Sequence, residues 1–184
     1  MTLSDAGAVA SLIREAFAVQ AVVTDPLPSA LRVTAADVVA HLERGGGGAV
    51  VVFGNGVLAG SVLWEVQDGG LYVSRVAVAP ARRRLGVGRA LVEAAEAAAH
   101  EMRLPRVCLS TRLVLADNRR LFASCGFVET ERTAHPGYDA PTSVAMEKVL
   151  TSPKYKTSPA EAGEVSARSA GEVSIAPAKN PWGA

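Results

Sequence analysis

The sequence is short of several things, and each shortage closes a class of function. It has two cysteines, too few for a disulfide framework, and neither lies in a C-x-x-C pair or at zinc-ligand spacing from a histidine. Cys108 and Cys125 read as small buried apolar groups, in keeping with a reducing cytoplasm, and no metal is expected. Nineteen basic residues balance eighteen acidic ones, a formal net charge of +1, which argues against nucleic-acid binding through bulk charge. Aromatic residues make up 5% of the chain, so the core has to come mostly from Ala, Val and Leu. The longest uncharged run, Gly45 to Trp64, holds seven glycines and an Asn55-Gly56 pair. It reads as two strands joined by a tight hairpin turn, not as a membrane span. Met1 to Asp5 offers no basic segment ahead of an apolar run, so no signal peptide is expected and the membrane is not a partner.

What is present is enough for one core. Hydrophobic residues make up 49% of the chain, and the composition changes near residue 150. Residues 151–184 are rich in Pro, Ser, Ala and Gly, and Ala162-Gly163-Glu164-Val165-Ser166 recurs as Ala170-Gly171-Glu172-Val173-Ser174. Such a segment buries too little apolar surface to offset its ordering entropy, and a disordered tail is expected. The domain is then 1–150, with fifteen basic and fifteen acidic residues.

Within the domain the periodicity is mixed. Ser4 or Asp5 is placed to cap a helix through Val9, Leu12, Ile13 and Ala16, and Thr34 to cap a second through Val38, Val39 and Leu42. Strands are expected near 48–54, 57–67 and 71–79 as an antiparallel meander. A helix from about Gly86 to Arg103 would turn Leu91 and Val92 inward and Glu93, Glu96 and Glu101 outward. A strand at 106–111, a helix near 117–124 and strands near 126–133 and 143–149 complete an α+β fold, a mostly antiparallel central sheet flanked by helices. His41 and His100 fall on polar helix faces and read as solvated.

The most informative segment runs from Val76 through Pro80 and Arg82-Arg83-Arg84 to Gly86-Val87-Gly88-Arg89. A strand ends at a proline, a basic turn comes next, then two glycines open a helix. First-turn N–H groups have no intrahelical partner, and with the helix dipole they attract an anion. Glycines at 86 and 88 would let a phosphate approach the backbone, and the arginines add charge. A dinucleotide fingerprint fits less well, because Leu91 stands where a third small residue is wanted. DNA binding fits less well again, for want of a wider basic face.

These residues resemble the GNAT N-acetyltransferase superfamily. Its acetyl-CoA motif, valine-x-proline followed by Arg/Gln-x-x-Gly-x-Gly/Ala, is matched by Val78, Pro80, Arg83, Gly86 and Gly88. A second motif, an Asn-bearing helix before an aromatic residue and a Gly-Phe pair, is matched by Asn118, Phe122 and Gly126-Phe127. The resemblance spans about 2–149. It implies transfer of an acetyl group from acetyl-CoA to a primary amine by direct attack in a ternary complex. It implies that amides of Arg84, Leu85, Gly86, Val87 and Gly88, helped by Arg83 and the neighbouring Arg89, hold the pyrophosphate. Backbone groups of Val76, Ala77 and Val78, at a splay in the sheet, would hold the pantetheine arm and thioester, with Asn118 and Phe122 also at the cofactor. A homodimer is left open.

Two departures stand out. Phe122 occupies a position where family members often carry a tyrosine able to protonate the departing thiolate, which keeps a non-catalytic acyl-CoA-binding module as the alternative. The family's usual first strand is also missing, so either the start lies upstream or the sheet lacks that edge. The amine must lose its proton, which costs a lysine-like amine about 4 kcal/mol at neutral pH for roughly three pK units. If Gly69-Gly70 is the hairpin loop, Glu65 faces Ser74 and shares a polar side with Gln67 and Tyr72, making Glu65 one candidate base. His135, in the loop that would border the acceptor, is another, with Tyr138 beside it. The acceptor itself is open among small amines, antibiotics, polyamines and protein N-termini.

Overall fold

A computed structural model describes residues 1–150 other than Ala21 and Asn55. The tail 151–184 and the Asn55 half of the Asn55-Gly56 turn lie outside the described residues. The chain folds in the order α1 (Ala6–Ala18), α2 (Ala35–Glu43), β1 (Gly47–Val52), β2 (Leu58–Gln67), β3 (Gly70–Val78), α3 (Val87–Glu101), β4 (Arg106–Arg112), α4 (Ala116–Ser124), β5 (Val128–Thr133) and β6 (Ser143–Val149). The strands form one sheet in the order β1-β2-β3-β4-β6-β5. Every pairing is antiparallel except β3 with β4. Among the described residues no strand lies outside β1, which is an edge, as expected for a sheet without the usual first strand. Among them, too, no helix is long and apolar enough to cross a membrane.

The helices cover both faces. α3 buries Val87, Leu91, Val92, Ala95 and Ala99, a stripe at helical spacing, against Trp64, Leu71, Val73, Val107 and Leu109. Its alanines permit close approach. At Gly60 of β2 an added Cβ would lie 2.6 Å from Val87 Cγ1 and 3.0 Å from Leu91 Cδ1, so this glycine seats the start of α3 on the sheet. On the other face, Val9, Leu12 and Ile13 of α1 and Val38 of α2 pack on Leu63 and Ala77. Thr34 caps α2 as expected, in a reciprocal box with Asp37. At the first helix Asp5, one of the two expected positions, is the N-cap of α1 without a side-chain cap bond; its Oδ2 instead accepts from the Thr2 N–H at 2.7 Å across the 3-10 turn that leads into α1. His41 is not solvated. It is buried, with Nε2 3.1 Å from the Gly47 carbonyl, and ties α2 to β1. Glu96 is not free on the surface either, since Lys148 of β6 pairs with it at 2.7 Å.

The β2–β3 hairpin corrects the expected register. Its loop is Asp68-Gly69, with φ of 49° and 71°, the pair of positive angles that a two-residue I′ turn requires. Gly70 therefore pairs with Gln67, and Glu65 lies opposite Tyr72, not Ser74. Glu65 and Tyr72 still share a face, because opposed residues of an antiparallel pair point the same way.

Two irregularities of β3 interrupt the sheet. Ser61 pairs with Ala77 and Leu63 with Ser74, so Arg75 and Val76 both oppose Val62 in a bulge, with Arg75 at φ 51°. On its other side β3 pairs with β4 only over Leu71–Val73 against Val107–Leu109. β3 runs on to Val78 and β4 to Arg112, yet past Val73 the two strands part.

Candidate active site

A cavity of about 160 Å³ fills the wedge between the parting strands. Ser74, Arg75 and Val76 form one wall, and Ser110, Thr111 and Arg112 the other. Asn118 and Phe122 of α4 close one end, and Phe17, Gln20 and Ser29 reach in from the end of α1 and the loop after it. β4 keeps its pairing with β6 as far as Arg112 against Ser143, so the wedge opens on the β3 side alone.

From this cavity β3 leads into the basic turn. A 3-10 turn at Pro80–Arg82 succeeds Ala79; Arg84 and Gly86 have φ of 62° and 79°, and Gly86 is the N-cap of α3. A Cβ built on Gly86 meets nothing within 4 Å, so the approach to the helix N-terminus is open at this residue. Gly88 differs from the expectation that it clears room for a phosphate. A Cβ there would lie 3.0 Å from Leu121 Cδ2, so this glycine lets α4 pack against the start of α3.

The arginines of the turn are engaged in holding it. Arg82 lies 4.8 Å from the centroid of the Phe53 ring. Arg83 donates to the carbonyls of Ala16 at 3.0 Å and Val19 at 3.1 Å, capping the C-terminus of α1. Arg84 pairs with Asp117 of α4 at 3.3 Å, and Arg89 reaches Ser124 Oγ at 3.1 Å. The guanidinium of Arg83, expected beside a phosphate, here bonds the end of α1.

Of the three catalytic candidates, the cavity wall includes His135 alone. Arg112 Nη1 donates to His135 Nδ1 at 2.8 Å, and Arg112 Nη2 to the Pro26 carbonyl at 2.9 Å. A guanidinium has no lone pair to offer, so Nδ1 accepts and the neutral ring carries its proton on Nε2. Burial, with Arg112 adding to it, lowers the His135 pKa. In this tautomer His135 presents a donor and not a base. Tyr138 hydrogen-bonds Asp25, which holds its phenol pKa above the usual value, and it does not line the cavity. Glu65 lies across the β2–β3 pair from Tyr72, with Oε1 buried and unbonded among the described residues. Tyr72 does line the cavity, and burial first, then Glu65, raises its pKa against the opposing effect of Arg75.

The sequence reading missed Arg75 and Arg112, the charged side chains of the cavity wall. Arg75 Nη2 donates to Ser29 Oγ at 2.9 Å, and burial lowers the pKa of both arginines. Neither belongs to a motif. A lone arginine toward the end of each of two neighbouring strands was the only signal.

The sequence profile of the acetyltransferase (GNAT) family matches residues 13–127. The chain belongs to that family. The GNAT fold is matched by the ribosomal-protein-S18-alanine N-acetyltransferase of Escherichia coli at a TM-score of 0.64, with 18% identity over 82% of this chain and 91% of that one. The PaiA N-acetyltransferase of Thermoplasma acidophilum, in complex with coenzyme A, is similar at a TM-score of 0.67, with 15% identity over 82% and 96%. A ribosomal-protein-alanine N-acetyltransferase of Brucella melitensis gives 0.63, with 20% identity over 82% and 97%. No curated protein matches the sequence significantly. At these identities the likeness to solved structures is one of GNAT fold.

The geometry makes two effects measurable. Arg83→Ala removes two charge-assisted bonds at the end of α1 and should lower stability by about 1 kcal/mol in urea unfolding. His135 is held neutral, so the stability it lends is present above its unfolded pKa near about 6.5 and is lost as pH falls through the lower folded value. The carboxylates with lowered pKa, Asp5, Asp37 and Glu129, act further down the scale. Between pH 7.5 and 5, His135→Gln should therefore flatten the pH dependence of unfolding; an unchanged slope would contradict the tautomer assignment.

Proposed function

We propose that this GNAT chain transfers the acetyl group of acetyl-CoA to a primary amine, by direct attack in a ternary complex. The observation that carries the reading is continuity. The backbone of β3 leaves its β4 partner beside the cavity and runs without interruption into the open turn at the N-terminus of α3. A ligand with an extended amide-bearing arm and a diphosphate fits both halves at once. Val76, Ala77 and Val78 offer strand backbone to the arm. Arg84, Leu85, Gly86, Val87 and Gly88 offer the turn and first-turn amides to the diphosphate, with Arg89 on the same helix. Asn118 and Phe122 line the cavity, and we assign them to the entry of the arm. Acetyl-CoA supplies a carbonyl activated as a thioester.

Transfer forms a C–N bond and breaks a C–S bond. One proton leaves the amine and one reaches the sulfur. Phe122 is buried on the cavity wall and has no hydroxyl, so the sulfur proton has to come from elsewhere. Tyr72 is the phenol on that wall, and its raised pKa keeps the proton in place at neutral pH. Glu65, across the strand pair, lies opposite Tyr72 and remains the candidate base, acting through water. We assign the acceptor side to the loop that carries the neutral His135, a donor at Nε2, and Tyr138, bound to Asp25. The unpaired Cys108 and Cys125 suit a reducing cytoplasm. Phe122 also favours a second reading, an acyl-CoA-binding module without turnover. Thiol release from acetyl-CoA in the presence of amines separates the two.

Gly86→Glu should abolish acetyl-CoA binding in calorimetry while the melting transition stays cooperative, because it sets a carboxylate at the open mouth of the turn and a side chain at positive φ. Wild-type affinity in that variant would refute the diphosphate assignment. Phe122→Tyr restores a hydroxyl on the cavity wall and should raise kcat, by up to about 10²-fold where proton donation limits the rate, with little change in KM for acetyl-CoA. An unchanged kcat would show that Tyr72 or solvent already serves.

A further inference from the structure

The walls of the cavity carry charge of one sign. Arg75 and Arg112 line it, no Asp or Glu among the described residues does, and His135 beside Arg112 is held as a neutral ring. The acidic groups near these arginines lie off the wall: Asp37 close to Arg75, and Asp25, bound to Tyr138, close to Arg112. The two guanidiniums come from facing strands, one from the bulge of β3 and one from the end of β4. Arg112 is aimed by neutral partners only, the Pro26 carbonyl and His135 Nδ1. These use one N–H from each terminal nitrogen and leave the rest of its five donors for a ligand.

We propose that the acceptor is a small α-amino acid, its carboxylate held between Arg75 and Arg112 and its amine turned toward the thioester. This rests on the acetyl-transfer reading above and specifies its substrate. A planar guanidinium matches a carboxylate in a forked, two-bond geometry. A polyamine or a lysine side chain would bring a second cation, or a lone one, into a wall that already holds two. A protein N-terminus presents a neutral amide where the free amino acid presents its carboxylate. The cationic wall also favours the unprotonated amine, since a like charge nearby disfavours the ammonium form. A wall without a carboxylate base is thereby suited to this nucleophile.

The test uses the full chain saturated with coenzyme A and titrated calorimetrically with each common L-amino acid and with the corresponding amino acid amide, and with spermidine. At least one amino acid should bind 10-fold or more tighter than its amide and than spermidine. Equal or tighter binding of the amides or of spermidine, or no binding by any amino acid, overturns the proposal. Arg75→Gln should weaken the preferred amino acid at least 10-fold and bring it level with its amide, and Arg75→Lys should restore part of the preference. Retention of the full preference in Arg75→Gln overturns the assignment to that residue. A parallel assay of thiol release from acetyl-CoA keeps the two levels apart. Preferential amino-acid binding without thiol release defeats the transfer reading and leaves the carboxylate site standing, whereas release with amides or spermidine in preference to amino acids does the reverse.

Discussion

β3 gives up its partner after three residues, and much of the architecture is arranged around that loss. A parallel strand pair normally satisfies its backbone groups along its whole length, and buried groups left unpaired carry a real cost. Here β3 and β4 stay together over Leu71–Val73 and Val107–Leu109, then diverge, each anchored on its outer side by an antiparallel neighbour. β2 accompanies β3 through the bulge at Arg75 and Val76, and β6 accompanies β4 to Arg112. The strands can part because each belongs to a sheet fragment that is complete without the other.

The wedge has to be held open, and packing does this from two sides. α3 is seated on β2 through the absent Cβ of Gly60, and α4 is seated on α3 through the absent Cβ of Gly88. Phe122 and Phe127 link α4 to the core beneath, with ring centroids 6.1 Å apart. The four arginines around the turn extend the same logic outward, reaching Phe53, the end of α1, Asp117 and Ser124. A turn that is open at Gly86 and fastened on every side is preorganised, so a ligand that docks there has little ordering entropy left to oppose it.

The loops over the cavity are stitched to each other as well as to the sheet. Arg112 reaches Pro26 on one loop and His135 on another, and Asp25 and Tyr138 bridge the same two loops. One of the two arginines on the cavity wall thus also ties together the loops over it. That double role accounts for why a histidine, a side chain suited in general to base chemistry, ends up as a donor, since its other nitrogen is occupied by a permanent cation.

The sequence by itself determined the element order, the capped helix at Thr34, the α3 stripe and the turn at Gly86, because helix caps, apolar spacing and glycine-rich turns act over a few neighbouring residues. It also carried enough of the Val78–Gly88 and Asn118–Phe127 patterns to resemble the right family. The hairpin register was misplaced by one residue at the loop because Asp68, like glycine, tolerates a left-handed backbone, so Asp-Gly and Gly-Gly are both admissible turns on local grounds. Tertiary structure alone decided which partners the long polar side chains found. Arg83 went to α1, His41 was buried against β1, Glu65 and Tyr138 fell off the cavity wall, and Arg75 and Arg112 came to line it. The physical reason is reach. A guanidinium or a ring nitrogen bonds whatever acceptor lies at the end of a long side chain, and that acceptor is placed by strands and loops up to 86 positions away in the chain.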